Sequence, residues 1–396
     1  MKRGGEVVFF GELGAESCHL VNYFESNGAT PIKHGENPAA WMLRAYTSED
    51  GETDWKELFE KSDQYEKMKS DIQEIKANLD ESKKISYSEE FATSTGYQHT
   101  LMLRRIFRIM MRSPSYNLAR IMIAVFYALL LGLVFLRSQP ENRNRQFNQY
   151  QVDGMLSTIF LGLIIIGVVS ISMAVPVMKQ IRDVFYKHRA SGMLSHNSIT
   201  VAVTVAEIPY IILISAIFSS VYYSLVGLFN ATDKWFAFFM YFALNIGTYT
   251  YFGQAFICLV KDIPTAGALV GALIGYNVFF SGLVVRPQYF KGPFQLGYWS
   301  APGRFAFEGI VTSQFKGLDY TVIAEPFTPW WFDIGCDDMP SSEPCTGPME
   351  AYVDFFFGGR FKDRYQPLDI GVLVFCLLLA RLILWVALWK LNYVNT

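Results

Sequence analysis

The side chains best able to do work in this sequence are charged, and they gather where apolar runs end. Lys179, Arg182, Lys187, His188 and Arg189 follow one long uncharged run, and Glu207-Ile208-Pro209 opens the next. Cationic groups so placed anchor a chain at a membrane surface and carry force through ion pairs. A carboxylate at Glu207 needs a partner, and an arginine of this cluster or of the preceding basic helix is the expected one; Pro209 is expected to fix a turn. Arg104, Arg108 and Arg112 recur every four residues with Arg105 beside them, opposite Leu103, Ile106, Phe107 and Met110. That pattern suits a basic helix on the inner membrane surface, with packing in a soluble core as the alternative. Arg381 is the one charge well inside an apolar run, and either acts there or snorkels to the surface.

Other chemistries lack their parts. No Gly-Lys dipeptide occurs, so no G-x-x-x-x-G-K-S/T loop is available to cradle a phosphate. No His/Cys cluster has metal spacing and no nucleophile–base motif is visible. The basic residues form no broad patch with interleaved aromatics, which argues against nucleic acid. We therefore expect no catalytic residue, no metal and no cofactor in this chain.

Elements must position those charges, and composition says which kind. Of 396 residues 51% are hydrophobic and 16% aromatic, which with long uncharged runs places the chain in the membrane class. The net charge of −2 hides a partition: residues 1–96 carry 11 Lys/Arg against 19 Asp/Glu. No signal peptide is apparent, so insertion is expected to rely on the first membrane helix. Six runs are each near the ~20 residues that cross a bilayer as a helix: Ile121–Leu136, Gly154–Met178, Ile208–Phe229, Trp235–Val260, Ile263–Val285 and Ile370–Trp389. Residues 180–228 then form a charged elbow between two crossings.

With six crossings the arginine helix, the Lys179–Arg189 cluster, Lys261 and Lys390 fall on one side, read as cytoplasmic with both termini. Arg137, Arg143 and Arg145 mildly violate that rule. Residues 286–367, with 7 Lys/Arg and 10 Asp/Glu, form a large outer loop. Within it Tyr298–Phe315 reads as a re-entrant or interfacial helix with Arg304 and Glu308 four apart. Cys336 and Cys345 frame a short segment with Asp337 and Asp338. On an oxidising face a disulfide is the default, with free thiols or an intermolecular bond as alternatives. Asn230 opens the only N-glycosylation sequon, almost at the bilayer.

Four regions result. Residues 1–46 read as the remnant of a globular α/β domain, with a strand at Glu6–Phe10 and a helix at Glu16–Ser26 too small to bury a core. Residues 47–96 read as a charged linker with one solvated helix, its stripe running from Trp55 to Leu79. Residues 97–113 are the amphipathic connecting helix, and 114–396 the helical membrane domain. The fold class is mainly α, polytopic.

Particular residues now resemble a family. Arg3–Gly11, Tyr23-Phe24-Glu25 and Asn37–Leu43 are similar to the tail of the ATP-binding domain in G-subfamily ABC transporters, nearest the full-size pleiotropic drug resistance type. Asp183–Met193 with Glu207–Tyr210 resembles that family's elbow signature, and Phe280–Leu283 and Gly309–Phe315 its fifth-helix end and re-entrant region. The resemblance covers essentially the whole chain in order. Two departures stand out: the ATP-binding motifs would precede Met1, and His188 stands where the family often has a glutamate.

The resemblance implies the C-terminal membrane half of an ATP-driven exporter of hydrophobic or amphipathic small molecules or lipids, in the plasma membrane. ATP and Mg would be held by nucleotide-binding domains outside this chain, and the other membrane half would be a partner. A truncated, non-transporting subunit that assembles with full transporters is the alternative. Coupling would fall to Arg182, Phe185, Tyr186, Lys187, His188, Arg189, Glu207 and Pro209. The substrate path would run past Ile165, Ile166, Val169, Ser170 and Met173, then Gly275, Val278 and Phe279, with Leu283 and Val284 as a plug.

Overall fold

The computed structural model describes residues 5–47, 54–78, 90–136, 146–228, 231–317, 319–336 and 344–393. Leu79, Arg137, Arg143, Arg145, Asn230, Asp337 and Asp338, all named above, lie outside those residues. Two compact units emerge, Met1–Ser88 and Glu89–Thr396, each described by itself.

The first unit holds α1 (Cys18–Ser26), α2 (Pro38–Thr47), α3 (Trp55–Glu60) and α4 (Asp63–Ala77). Its small core sets Val8, Leu20, Phe24, Trp41, Trp55 and Phe59 together. The Phe24 ring lies 6.1 Å from Trp41 and 4.9 Å from Trp55, so α3 joins this core instead of lying free in a linker. Capping defines the later helices: Asp54 accepts from the Lys56 amide and Ser62 from the Tyr65 amide. α4 buries nothing, as a solvated helix should. The strand expected at Glu6–Phe10 does not form, and no strand occurs among this unit's described residues. A strand without a neighbour leaves its backbone groups unpaired.

The second unit opens with α5 (Thr95–Met111) and α6 (Pro114–Val134), split where Pro114 takes the first helical position. β1 (Gln146–Asn148) leads into α7 (Gln149–Ala190), whose start carries a reciprocal capping box between Asn148 and Gln151. α8 (His196–Val226), α9 (Thr232–Leu259) and α10 (Ile263–Phe279) follow. Then come α11 (Phe294–Ser300), α12 (Pro302–Phe315), β2 (Thr321–Ile323), α13 (Pro329–Asp333), β3 (Thr346–Pro348), α14 (Met349–Phe356) and α15 (Gln366–Lys390). β2 pairs in parallel with β1 and antiparallel with β3, setting Phe147 beside Val322 and Val322 beside Gly347.

α6, α7, α8 and α15 are long and apolar enough to cross a membrane, and α10 is a shorter apolar helix. On α6 the exposed side chains Leu118, Met122, Phe126, Leu129, Leu130 and Leu133 repeat at helical spacing. An apolar stripe of that length is a bilayer contact. The buried faces meet in one cluster that includes Phe160, Phe218, Phe242 and Phe307. A second gathers Ile106, Met178, Phe185, Ala202 and Leu388.

Four expectations are corrected. The run Gly154–Met178 is only part of a longer helix: α7 continues through the first residues of the elbow to Ala190, and the turn falls at residues 191–195, where Gly192 takes φ +63°. Pro209 makes no turn but lies inside α8 on its exposed side, because the helix already begins at His196 behind its Ser195 cap. The run Ile263–Val285 is helical only to Phe279. Tyr298–Phe315 is two helices, parted at Ala301 because Pro302 disfavours a helical residue before it.

Candidate functional site: a buried charge network and an arginine-capped elbow

Glu207 lies on the inner face of α8 and is fully buried. Its partner comes from neither the basic cluster at the end of α7 nor α5. Arg120 of α6 donates Nη1 to Glu207 Oε2 at 3.2 Å and Nη2 to Thr250 Oγ1 at 3.3 Å. Tyr116, one turn before Arg120, donates its hydroxyl to Glu207 Oε1, and Gln254 of α9 donates to the same oxygen at 2.9 Å.

Arg381 of α15 joins this network and does not snorkel. It donates to Gln254 Oε1 at 2.8 Å and to the Tyr251 carbonyl at 3.0 Å, and its guanidinium lies 3.6 Å from the Tyr251 ring centre. The amide of Gln254 thus links a carboxylate on one side to a guanidinium on the other. The network ties α6, α8, α9 and α15 together with two guanidiniums around one carboxylate. Such groups in an apolar interior cost several kcal/mol each unless paired, so their placement holds the four helices in register.

At the end of α7 two more arginines act on backbone. Arg182, buried, donates Nη1 to the carbonyls of Ile257 and Val260, the latter at 2.5 Å, and Nη2 to that of Lys261 at 2.9 Å. Ile257 lies in the last turn of α9, Val260 caps it and Lys261 follows, so the guanidinium satisfies carbonyls at and just past that helix end. Asp183 holds the same guanidinium from its other edge at 3.0 Å and takes Lys179 at 2.6 Å. Arg189, two turns on, donates to the carbonyls of Leu388, Trp389 and Leu391, the last at 3.0 Å. These close α15. A guanidinium at a helix C-terminus meets both the free carbonyls and the negative end of the helix dipole.

Phe185 and Tyr186 are buried between these two arginines, whereas Lys187 is exposed and His188 half-buried. Residues paired by sequence reasoning therefore separate: Arg182 and Arg189 hold helix ends, Lys187 meets solvent, and Glu207 belongs to a different cluster.

The path residues divide too. Ile165, Val169 and Met173 are half-buried along one line of α7, while Ile166 and Ser170 face the core. On α10 Gly275 has open space where a Cβ would stand, Val278 is half-buried and Phe279 exposed. Leu283 is half-buried and Val284 exposed. In the connecting helix the buried residues are Gln98, Met102, Ile106 and Met110; Leu103 is half-buried against the same cluster, and Phe107 is exposed with its ring 6.2 Å from that of Tyr210. Arg304 and Glu308 pair within α12, with Tyr298 and Trp299 ring centres 4.1 and 4.2 Å from the guanidinium. Cys336 and Cys345 are joined in a disulfide with Cα atoms 6.3 Å apart.

Among the described residues no cluster of His, Cys, Asp or Glu is placed to hold a metal ion. Sequence reasoning missed Tyr116, Arg120, Gln254 and Thr250. Their signal was present as polar residues inside, or at the lip of, apolar runs.

Long apolar helices locked by buried guanidiniums define a polytopic membrane domain. The ABC-2 type transporter family matches residues 97–315 of the chain, more than half of it, and the chain belongs to that family. Its relatives are plant G-family and pleiotropic drug resistance proteins. ABC transporter G family member 53 of Oryza sativa subsp. japonica is 30% identical over 327 residues, 81% of this chain and 22% of the relative. ABC transporter G family member 31 of Arabidopsis thaliana is 26% identical over 94% of this chain and 24% of itself. Pleiotropic drug resistance protein 1 of Nicotiana tabacum is 29% identical over 80% of this chain and 22% of itself. The chain thus spans about a quarter of the length of the curated relatives it matches.

Proposed function

We propose that this chain is the membrane half of an ATP-driven exporter of hydrophobic or amphipathic small molecules or lipids. ATP and Mg are held by nucleotide-binding domains, since this sequence offers no phosphate cradle of its own. The helices cross the plasma membrane six times, with α9 and α10 completing the set, and the end bearing Arg182 and Arg189 faces the cytoplasm together with both termini. Residues 286–367 then lie outside, where a Cys336–Cys345 bond is stable.

One observation carries the reading: Arg182 and Arg189, on a rigid extension of α7, cap the ends of α9 and α15. A push on that extension by a nucleotide-binding domain must move three membrane helices together. Phe185 and Tyr186 stiffen the joint, and the Glu207 network sets the pivot around which they turn. The half-buried line Ile165, Val169 and Met173 on α7, with Gly275, Val278 and Phe279 on α10, supplies an apolar path below Leu283 and Val284.

The test is co-expression with a G-family ATP-binding half, followed by ATP-dependent export of a fluorescent amphiphile from membrane vesicles. Export with both parts and none with either alone supports the reading. Assembly without export would favour the non-transporting subunit, and ATP hydrolysis by the purified chain would overturn both.

A further inference from the structure

We propose that α5 and the extension of α7 together hold one anionic phospholipid, with its phosphate on Arg105 and the neighbouring arginines and an acyl chain in the cavity behind them. A cavity of about 400 Å3 opens between these helices, walled by Met102, Ile106 and Ile109 of α5 and by Met173, Val177 and Val184 of α7. That size falls in the range of small-ligand sites. Arg105 and His188 stand at its rim. A second, shallower groove of about 550 Å3 continues from it, sharing Arg105, Ile109 and Ser113 and adding Arg104, Arg108 and Arg112.

Charge points to the occupant. Among the described residues no carboxylate pairs with any of those four arginines, although Arg120, Arg182 and Arg304 each have one. Leu101, Phe107 and Met111 are exposed on the same helix between the guanidiniums. An acidic protein surface would satisfy the arginines and leave those side chains in water, whereas a lipid satisfies both. The inference rests on α5 lying at the bilayer surface, as in the proposed topology, but not on transport.

The test uses the purified full chain in non-ionic detergent. Its unfolding temperature is followed as dioleoyl phosphatidic acid is added, in parallel with dioleoylglycerol, dioleoyl phosphatidylcholine, inorganic phosphate and a poly-glutamate peptide. A saturable rise with phosphatidic acid alone is expected. Arg105→Gln should weaken it about fivefold, from ~1 kcal/mol per basic residue near an anionic lipid. His188→Glu should weaken it as well, by setting a carboxylate at the rim, and Ile109→Trp should do so by filling the cavity. Arg105 is exposed, so its variant is expected to fold, and Ile109→Trp tests the cavity independently of charge. Equal stabilisation by either uncharged or zwitterionic lipid, by phosphate alone or by the acidic peptide would overturn the proposal. So would an unchanged affinity in both Arg105→Gln and Ile109→Trp. Because the readout is binding, its failure would leave the transport reading standing.

Discussion

Arg120 and Glu207 stand 3.2 Å apart with side chains 1% and 0% exposed, 87 positions apart in the sequence. Neither charge has water to fall back on. Breaking a buried pair from one side leaves the other charge uncompensated, at about 3–5 kcal/mol. Glu207→Ala is worse placed than most, since it abandons Arg120 and also removes the acceptor for Tyr116 and Gln254. We expect Glu207→Ala and Arg120→Ala each to lower the unfolding temperature of the detergent-purified chain sharply. The pair Arg120→Met with Glu207→Leu should recover most of the loss. A double variant no better than either single one would show that the pair does not act as a unit.

Arg381 should behave differently, because its acceptors are Gln254, Thr204 and the Tyr251 carbonyl, and none of them is a carboxylate. Arg381→Met gives up those hydrogen bonds and one cation–π contact, yet also removes a charge that is costly to bury. The two effects oppose, so a net change of about 1 kcal/mol or less is expected. Arg381→Met as destabilising as Glu207→Ala would mean that the network's charge balance depends on both guanidiniums.

What the sequence made legible follows the reach of its signals. Arg104, Arg108 and Arg112 announce an amphipathic helix because the pattern is local, and the structure exposes all three. Arg304 and Glu308, one turn apart, read correctly for the same reason. The partner of Glu207 did not, because nothing near residue 207 points to residue 120; only the packing of α6 on α8 does. Arg182 and Arg189 were legible as charges but not as caps, since a backbone carbonyl has no sequence signature. Hydropathy marks the end of an apolar run at Met178 but not the end of the helix, and α7 continues to Ala190 because its backbone hydrogen bonds do not depend on side-chain polarity.

Close approach makes a third prediction. An ideal Cβ on Gly253 of α9 would stand 2.7 Å from the Ile171 carbonyl oxygen of α7, and backbone cannot step aside as a side-chain tip can. Small residues let membrane helices approach at such points. Gly253→Ala should cost about 1–3 kcal/mol by overpacking. Gly271 of α10 has nothing within 4 Å of the same position, so Gly271→Ala should be neutral or slightly stabilising through helix propensity. Comparing unfolding temperatures of the two variants checks this, and equal losses would refute it.

The capping arginines give the sharpest test of coupling, since their partners are the ends of two helices and not one site. Arg182→Ala removes the donors to three carbonyls at the end of α9, and Arg189→Ala those to three carbonyls at the end of α15. Hydrogen bonds to a charged group contribute about 1.5–3 kcal/mol, so each variant should be measurably destabilised. Stability alone does not separate a cap from a lever. The distinguishing readout is the ratio of export to ATP hydrolysis in the assembled transporter. A lever predicts that ATP is still hydrolysed while export per ATP falls several-fold, and that Arg189→Lys, which keeps the charge but loses the fork, recovers only part of it. If hydrolysis and export fall together in proportion to the amount of folded protein, Arg182 and Arg189 are caps and nothing more, and the proposed lever is refuted.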